Sequence, residues 1–382
     1  MKYMHYAGLL LAGMLMWNRI LVAQIAGPPS GDNQKASVTQ YMGPVSITVT
    51  YNSPDVHGPN GEDRAGHIWG ELVPFGFSDL SFGYSNASNP SPWRAGANEN
   101  TTIAFNNDIL VEGKKLSAGT YGLHMVPGKD SWVIIFSNTS DAWGSFFYEE
   151  KDDALRVEVK PHPNAYTEWL NYTFADRGPD HCTLELQWEN LAIPVQFKVE
   201  NIQEVYYEKI KGQLIGTPVG FDYKGWADGA NYLASVNYKL DEALSWAMNA
   251  VQGQFYSNEN FYTLSTVSNV YKAMGNMQES DNWMQKAIAS PSASALDIHM
   301  YARGLQAQKR NDEALQIYNL NFSKHPDEVL TCLGLARGYS ATGDYKKAIK
   351  YAKEALALHP DPQIKKTLED GIVKLEKGED FN

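Results

Sequence analysis

A spacing of 34 residues recurs in the second half of the chain and restricts its fold more than any other feature. Ala314 and Ala348, Pro326 and Pro360, and Ser280 and Ala314 are each separated by 34 residues. Between these positions Ala, Leu and Tyr recur at spacings of three and four, which predicts amphipathic helices. A helix pair of this length cannot bury its apolar face alone, so neighbouring copies must stack. We therefore expect an all-α array of stacked helix pairs.

The repeating unit resembles the tetratricopeptide repeat, which has a small residue where its two helices cross and a proline after the second helix. The best copy includes Leu335, Tyr339, Gly343, Ala348 and Pro360. We expect four copies, beginning near residues 224, 261, 295 and 329, preceded by a connecting helix within 201–223. A capping helix is expected from about residue 362 to 377, so the array would occupy residues 224–382.

The resemblance implies a groove that binds a partner protein or peptide. In tetratricopeptide proteins the first helix of each pair lines the concave face, with groove residues at the second, fifth, ninth and twelfth places. Arginines in such a groove favour an acidic peptide or a terminal carboxylate, through charge-assisted hydrogen bonds. The alternative is that Arg303 and Arg337 only solvate a helix face. The predicted groove residues are Tyr232, Asn269, Lys272, His299, Arg303 and Arg337.

The first half of the chain has the period of β-strands. Residues 45–51 alternate apolar and polar side chains, as a half-buried strand does. The candidate strands are short and separated by turn residues, with no helix between them, which predicts an antiparallel sandwich of about ten strands over residues 37–200, of jelly-roll or immunoglobulin-like type. Pro194 is expected at an edge or bulge. The other candidate strands are 68–75, 101–105, 109–112, 120–126, 131–137, 154–160, 169–174, 182–188 and 191–199.

Residues 1–24 have the length and order of a secretory signal, with an apolar run over 7–17. That run is too short to span a bilayer, so we expect an exported protein, periplasmic or secreted, without a transmembrane segment in the mature chain. Residues 25–36 are rich in Gly, Pro and polar residues and predict a flexible tether. The formal net charge of −12 argues against nucleic-acid binding.

Residues 92–101 combine an aromatic, a guanidinium, an amide and a carboxylate among small residues. One interpretation is a recessed polar site, and the other is a structural ion pair between Arg94 and Glu99 that locks a loop onto a sheet. Tryptophans near these loops are compatible with a sugar-stacking surface or with ordinary core packing. The residues that we predict to bind a ligand are Arg64, Trp69, Trp93, Arg94, Asn98, Glu99 and Asp141.

A hydrolase is the rival hypothesis. If the strands are neighbours, His57, Glu99 and Asp141 could meet Arg94 and Asn98 at one end of the sandwich and supply a general acid and base. No Gly-X-Ser-X-Gly, His-Glu-X-X-His or phosphate-loop motif is present in the sequence, however. The His and acidic residues of the 53–70 loop lack the spacing of a metal site. We predict no metal and no cofactor.

Several motifs of the first half occur together and in one order. They lie at residues 52–54, 64–70, 72–76, 93–101, 116–122, 126–128 and 132–136. In this set the chain resembles the exported bacterial family called domain of unknown function 2911, over roughly residues 37–200. The resemblance implies a β-sandwich, often followed by helical repeats, in proteins mostly from Bacteroidetes, and it implies no activity. Residues 77–91 depart from the pattern as a longer Ser/Asn-rich insertion.

Together these observations predict an exported, non-catalytic binding or scaffolding protein. Its sandwich would carry a recessed polar site for a small polar or sugar ligand, and its repeat groove would hold a protein or peptide. The alternatives are a periplasmic hydrolase using Arg94, Asn98 and Glu99, or a carbohydrate-binding protein.

Overall fold

The computed structural model of the chain describes residues 33–58 and 61–382. The predicted secretory signal at 1–24 lies outside the described residues, as does the tether up to residue 32. The chain divides into two compact units between Val205 and Tyr206. Within the described ranges, no helix is both long enough and apolar enough to cross a membrane.

The first unit contains ten strands in two antiparallel sheets. One sheet has six strands in the order β1-β2-β3-β6-β7-β8, and the other has four in the order β5-β4-β10-β9. The strands are β1 (Gln34–Met42), β2 (Val45–Ser53), β3 (Thr102–Phe105), β4 (Ile109–Val111), β5 (Lys114–Leu116), β6 (Gly119–Val126), β7 (Trp132–Ser137), β8 (Asp153–Val159), β9 (His162–Ala175) and β10 (His181–Lys198).

A single apolar core lies between the two sheets. Along β2 every second residue from Val45 to Val49 is fully buried, which is the alternation that the sequence shows. Phe197 of the smaller sheet packs against two rings of the larger sheet. Its ring centroid lies 5.6 Å from that of Phe105 and 6.5 Å from that of Phe136. The prediction of an antiparallel two-sheet fold with about ten strands is confirmed.

Three local predictions were wrong, and one strand was missed. Residues 34–36, expected in the tether, belong to β1, an edge strand in which most side chains face solvent. Residues 68–75 form a loop with one isolated bridge, between Trp69 and Val73. The short strand β5 was missed. The segments 182–188 and 191–199 are parts of one strand, β10, whose pairing with β9 shifts register around Glu189.

Pro194 lies in β10 between two paired stretches. The β9 pairing ends at Ala192, and the β4 pairing includes Phe197 and Lys198. A proline has no N–H to donate to a ladder, so this unpaired position tolerates it.

The second unit is all-α and consists of most of a leading helix, which begins just before the boundary, followed by four helix pairs and a final helix. The pairs begin at Tyr223, Phe261, Ala295 and Val329, at or next to the predicted starts. Buried alanines mark the helix crossings, including Ala243, Ala314 and Ala348. The helices are α1 (Ile202–Gly216), α2 (Tyr223–Ser235), α3 (Leu240–Val251), α4 (Phe261–Ala273), α5 (Met277–Ala289), α6 (Ala295–Ala307), α7 (Asn311–Lys324), α8 (Val329–Ala341), α9 (Tyr345–Ala357) and α10 (Pro362–Glu376).

Candidate functional site

A cavity of about 490 Å³ opens in the first unit, in the range that small organic ligands occupy. Most of its wall comes from residues 54–101, the connection between β2 and β3, in which the described backbone forms only isolated bridges. Long connections of this kind in compact domains often carry function. Side chains and backbone from this connection are joined in the wall by Ser145, which follows β7, and by Trp188 of β10.

Four tryptophans pack together behind and beside the cavity. The ring of Trp69 lies 5.2 Å from that of Trp132, 5.6 Å from Trp188 and 5.9 Å from Trp93. Trp93 and Trp188 are nearly parallel, with an angle of 15° and a centroid distance of 6.4 Å, and both line the cavity. The cavity therefore has a rigid aromatic wall.

Arg94 is the notable cation of this wall. Its Nη1 donates a hydrogen bond to the carbonyl oxygen of Asn98 at 2.6 Å, and its guanidinium carbon lies 4.9 Å from the centroid of the Phe146 ring. Burial lowers the pKa of this guanidinium. Within the part of the chain that the structure describes, no carboxylate lies within 4.0 Å of it. Arg94 is thus a half-buried charge balanced by a carbonyl dipole and an aromatic face.

Arg64 lines the same cavity but is already neutralised. Its Nη2 contacts Glu62 Oε2 at 2.8 Å, and its Nη1 contacts Asp55 Oδ1 at 3.4 Å. Asp55 is buried, so this contact also compensates a carboxylate away from water. The two arginines therefore have different electrostatic environments on one wall.

Two buried polar groups of the lining have no hydrogen-bond partner among the described residues. They are the hydroxyl of Ser91 and the indole N–H of Trp188, and both side chains are 1% exposed. Ser91 uses its backbone N–H and carbonyl in a bridge with Ser78, so only its side chain is unpaired. Buried donors without partners are uncommon, and each needs an explanation.

A buried histidine supports the cavity from behind. His124 Nδ1 lies 2.9 Å from Ser145 Oγ, in hydrogen-bond contact. Burial, followed by the charge of Arg94, lowers the pKa of His124 to about 4, so the ring is neutral near pH 7. No carboxylate accepts a hydrogen bond from this ring in the described structure, as a serine-hydrolase triad would require. The pair holds Ser145 in place and does not form a triad.

The acid and base candidates of the hydrolase hypothesis are not brought together. Glu99 accepts a hydrogen bond from Asn52 Nδ2 at 2.7 Å, and the predicted ion pair with Arg94 does not form. The reason is the tight turn at Asn98, whose φ is 57° and whose carbonyl receives Arg94 instead. His57 is exposed and contacts Glu168 Oε2 at 2.9 Å, whereas Asp141 is exposed elsewhere and lines no part of the cavity.

Four of the seven residues predicted to bind a ligand line the cavity, namely Arg64, Trp93, Arg94 and Asn98. Trp69 packs behind Trp93, and Glu99 and Asp141 do not reach the lining. Ser91, Ser145 and Trp188 were missed. Ser91 lies close to Arg94 in sequence but has no distinctive pattern around it, whereas Ser145 and Trp188 lie far from Arg94 in sequence and only the fold brings them near. Whether any of these residues binds a ligand stays a prediction.

The second candidate site is on the third and fourth helix pairs. His299 and Arg303 lie on α6, and Arg337 lies on α8. The charges of the two arginines act on His299 and on Tyr318 of α7, and the charge of Arg303 also acts on Arg337. Burial, and then the charges of Arg337 and Arg303, lower the pKa of His299 to about 4. Burial and the charge of Arg303 likewise lower the pKa of Arg337. Two cations therefore share a half-buried surface next to a neutral histidine.

The other predicted groove residues lie on the first two pairs. Tyr232 packs against Tyr206, with ring centroids 5.1 Å apart. Asn269 is exposed and donates to Asn231 Oδ1 at 3.1 Å, and Lys272 is exposed. These three positions do not contribute to the cationic surface around Arg303 and Arg337.

Residues 380–382 fold back onto the last helix pair, and we call them the closing segment. Ser340 Oγ donates to Asp380 Oδ1 at 2.5 Å, and Asn382 Nδ2 donates to the Arg337 carbonyl at 3.1 Å. Phe381 is buried, and its ring lies 5.1 Å from the Arg337 guanidinium carbon. Arg337 and Ser340 are the ninth and twelfth places of the repeat that begins at 329. The closing segment thus covers predicted groove positions.

The fold defines the class of the protein as a β-sandwich followed by a tetratricopeptide-type interaction scaffold, since such arrays use their helix faces to bind partners. Residues 33–197 match the family model described as "Protein of unknown function (DUF2911)", and residues 298–361 match a model described as "Tetratricopeptide repeat". Both resemblances inferred from the sequence are confirmed. No curated protein sequence matches the chain.

Several solved structures are similar to part of the chain. The crystal structure of MamA is 16% identical, with a TM-score of 0.30, and covers 40% of this chain and 85% of that one. YrrB, titled a TPR protein with an unusual peptide-binding site, is 15% identical with a TM-score of 0.29, covering 44% and 81%. A kinesin-light-chain-like repeat protein of Podosopora anserina is 16% identical with a TM-score of 0.31, covering 43% and 88%. We transfer no function from these similarities.

Proposed function

We propose that the protein is a non-catalytic scaffold whose repeat unit binds an acidic peptide segment of a partner protein across α6 and α8. The observation that supports this proposal is the closing segment. An acidic residue and an aromatic residue of the chain itself, Asp380 and Phe381, already rest against groove positions of α8. This surface therefore has the hydrogen-bond donors and the apolar depression that a bound peptide needs.

The charge on the surface favours an acidic partner. In the described part of the chain Arg303 has no ion pair, and the guanidinium of Arg337 contacts an amide, Asn382 Oδ1, at 3.4 Å. His299 adds no positive charge near pH 7 because its pKa is about 4. Two arginines that form no ion pair among the described residues are suited to charge-assisted hydrogen bonds with a peptide carboxylate.

A peptide titration tests this function. The probe is a labelled peptide with the sequence of residues 377–382, Lys-Gly-Glu-Asp-Phe-Asn, added to a variant that lacks residues 379–382. We expect saturable binding that weakens at higher salt, and loss of about tenfold or more in the Arg303→Ala, Arg337→Ala double variant. The matched peptide carries Gln and Asn in place of its Glu and Asp.

The control double variant is Lys350→Ala, Lys365→Ala. It removes the same charge from exposed positions on α9 and α10, where the lysines contact Glu354 and Glu369 on their own helices. Equal binding of the acidic and amidated peptides, or an equal loss in the two double variants, would refute the proposed acidic partner. Lack of binding by any peptide to the shortened chain would refute the groove itself.

We also propose that the cavity of the first unit is a small-molecule site. The wall of Trp93 and Trp188 and the half-buried charge of Arg94 support this proposal over the hydrolase hypothesis, because the acid and base candidates lie apart. The test is a thermal-shift screen of small organic acids, amides and sugars. A shift that is absent in the Trp93→Ala variant is expected for a ligand of this cavity.

Export is a further part of the proposed function, and it is based on the apolar run over residues 7–17. Expression of the full chain with cell fractionation, followed by N-terminal sequencing, tests it. We expect a processed chain that begins near residue 25 in the exported fraction. An unprocessed chain that is retained in the cytoplasm would contradict it.

A further inference from the structure

We infer that the cavity of the first unit binds an organic monocarboxylate with a flat apolar body. This inference depends on the proposed small-molecule function of the cavity and names the class of ligand. Arg94 would receive the carboxylate, and the ring of Trp93 would pack against the apolar body.

The charge of Arg94 is the first argument. A guanidinium has five N–H donors, and the described structure gives Arg94 one hydrogen bond, to the carbonyl of Asn98. A desolvated cation is stabilised by an anion far better than by a carbonyl dipole. Arg64, on the same wall, has two carboxylates, so Arg94 is the cation of this cavity that is open to an anionic ligand.

The shape of the cavity favours a flat and partly apolar ligand. Trp93 and Trp188 present nearly parallel rings, and Leu72, Val73 and Pro74 line the cavity as well. A volume of about 490 Å³ accommodates a molecule of one or two rings, at the small end of ligand sites.

A single negative charge fits better than a double one. Asp79 lines the same cavity, and the chain carries a formal net charge of −12. A dianion such as a phosphate monoester would face one unpaired guanidinium and a nearby carboxylate, so its second charge would be poorly balanced. Sugars could use the aromatic wall but would leave the charge of Arg94 uncompensated.

The experiment compares two probes of nearly equal shape, indole-3-acetate and indole-3-acetamide, by isothermal titration of the full chain. Phenyl phosphate and glucose serve as the dianion and sugar probes. We expect the carboxylate to bind at least about tenfold more tightly than the amide, because hydrogen bonds to charged groups are the stronger ones. The Arg94→Gln variant should remove this preference.

The controls separate the ligand class from the site. Arg177→Gln removes an exposed arginine of the same unit and should leave both affinities unchanged. Arg94→Lys, which keeps the charge, provides a second variant if Arg94→Gln fails to fold. Equal affinity for acid and amide, or tighter binding of phenyl phosphate or glucose, overturns the carboxylate class and leaves the small-molecule site standing. Absence of binding by all four probes, with the thermal-shift screen also silent, overturns both.

Discussion

Ser340 and Asp380 are joined by a hydrogen bond of 2.5 Å from the Ser340 hydroxyl to the Asp380 carboxylate. The same hydroxyl oxygen accepts the backbone N–H of Phe381 at 2.8 Å. One side chain of α8 therefore fixes two consecutive residues of the closing segment. Hydrogen bonds from Ser340 and from the Asn382 backbone lower the pKa of Asp380 although burial opposes them, so its carboxylate is charged near pH 7.

Replacing this hydroxyl should release the closing segment. In Ser340→Ala the Asp380 carboxylate loses a donor and the Phe381 N–H loses its acceptor, a cost of about 1 to 3 kcal/mol for the contact. We expect faster hydrogen exchange of the Phe381 amide. Ser323→Ala is the control, because Ser323 is exposed and bonds only within α7, to Leu320. Unchanged exchange in Ser340→Ala would mean that Phe381 alone anchors the segment.

The packing of Phe381 against α10 leads to a second prediction. A Cβ at Gly371 would lie 2.2 Å from Phe381 Cε2, so Gly371→Ala must displace the ring. The helix itself should gain about 1 kcal/mol in propensity. We expect increased mobility of residues 379–382, measured by NMR relaxation. The control is Gly304→Ala on α6, where an added Cβ meets nothing within 4 Å. It should raise helix stability through propensity without changing the mobility of residues 379–382.

The position of the Arg94 side chain should likewise depend on a neighbouring glycine. Gly144 has φ +65°, and a Cβ there would lie 2.4 Å from Arg94 Cζ. Gly144→Ala should cost about 1 to 2 kcal/mol for the left-handed backbone and a further 1 to 3 kcal/mol, roughly, for the clash. Gly113→Ala, with φ +78° and open space, should show the backbone cost only. Urea unfolding of both variants measures the difference, and equal losses would show that the Arg94 side chain moves freely.

The helical half of the fold was accessible from the sequence because its information is local and repeated. A 34-residue period and buried alanines such as Ala314 and Ala348 fix the helix starts without reference to distant segments. The strand β2 was similarly evident from its alternation. The edge strand β1 was not, because exposed Gln, Ser and Thr side chains resemble those of a loop.

The cavity was only partly predictable. Trp93, Arg94 and Asn98 stand within six residues of one another, so composition alone identified that part of the wall. Trp188 on β10 and Ser145 in the loop after β7 lie beside these residues only in the folded chain, and no local sequence pattern indicates that they do. The Arg94 and Glu99 pair was wrong because proximity in sequence does not give proximity in space when the turn at Asn98 separates the two side chains.

The last prediction concerns acid stability of the repeat unit through His299. The ring is buried, its Nδ1 has no partner among the described residues, and its pKa is lowered from 6.5 to about 4. The lowered pKa means that the unfolded chain binds the proton on His299 more tightly than the folded chain does. The contribution of the neutral ring to the free energy of unfolding is therefore fully present above about pH 6.5. It declines by about 3 kcal/mol in all as the pH falls toward 4. In His299→Gln the helical circular dichroism should show a flatter dependence of the unfolding midpoint on pH across this window. The control is His359→Gln, which removes an exposed histidine from the same unit and should keep the slope of the parent chain. The same slope in the two variants would show that His299 is not buried in its neutral form.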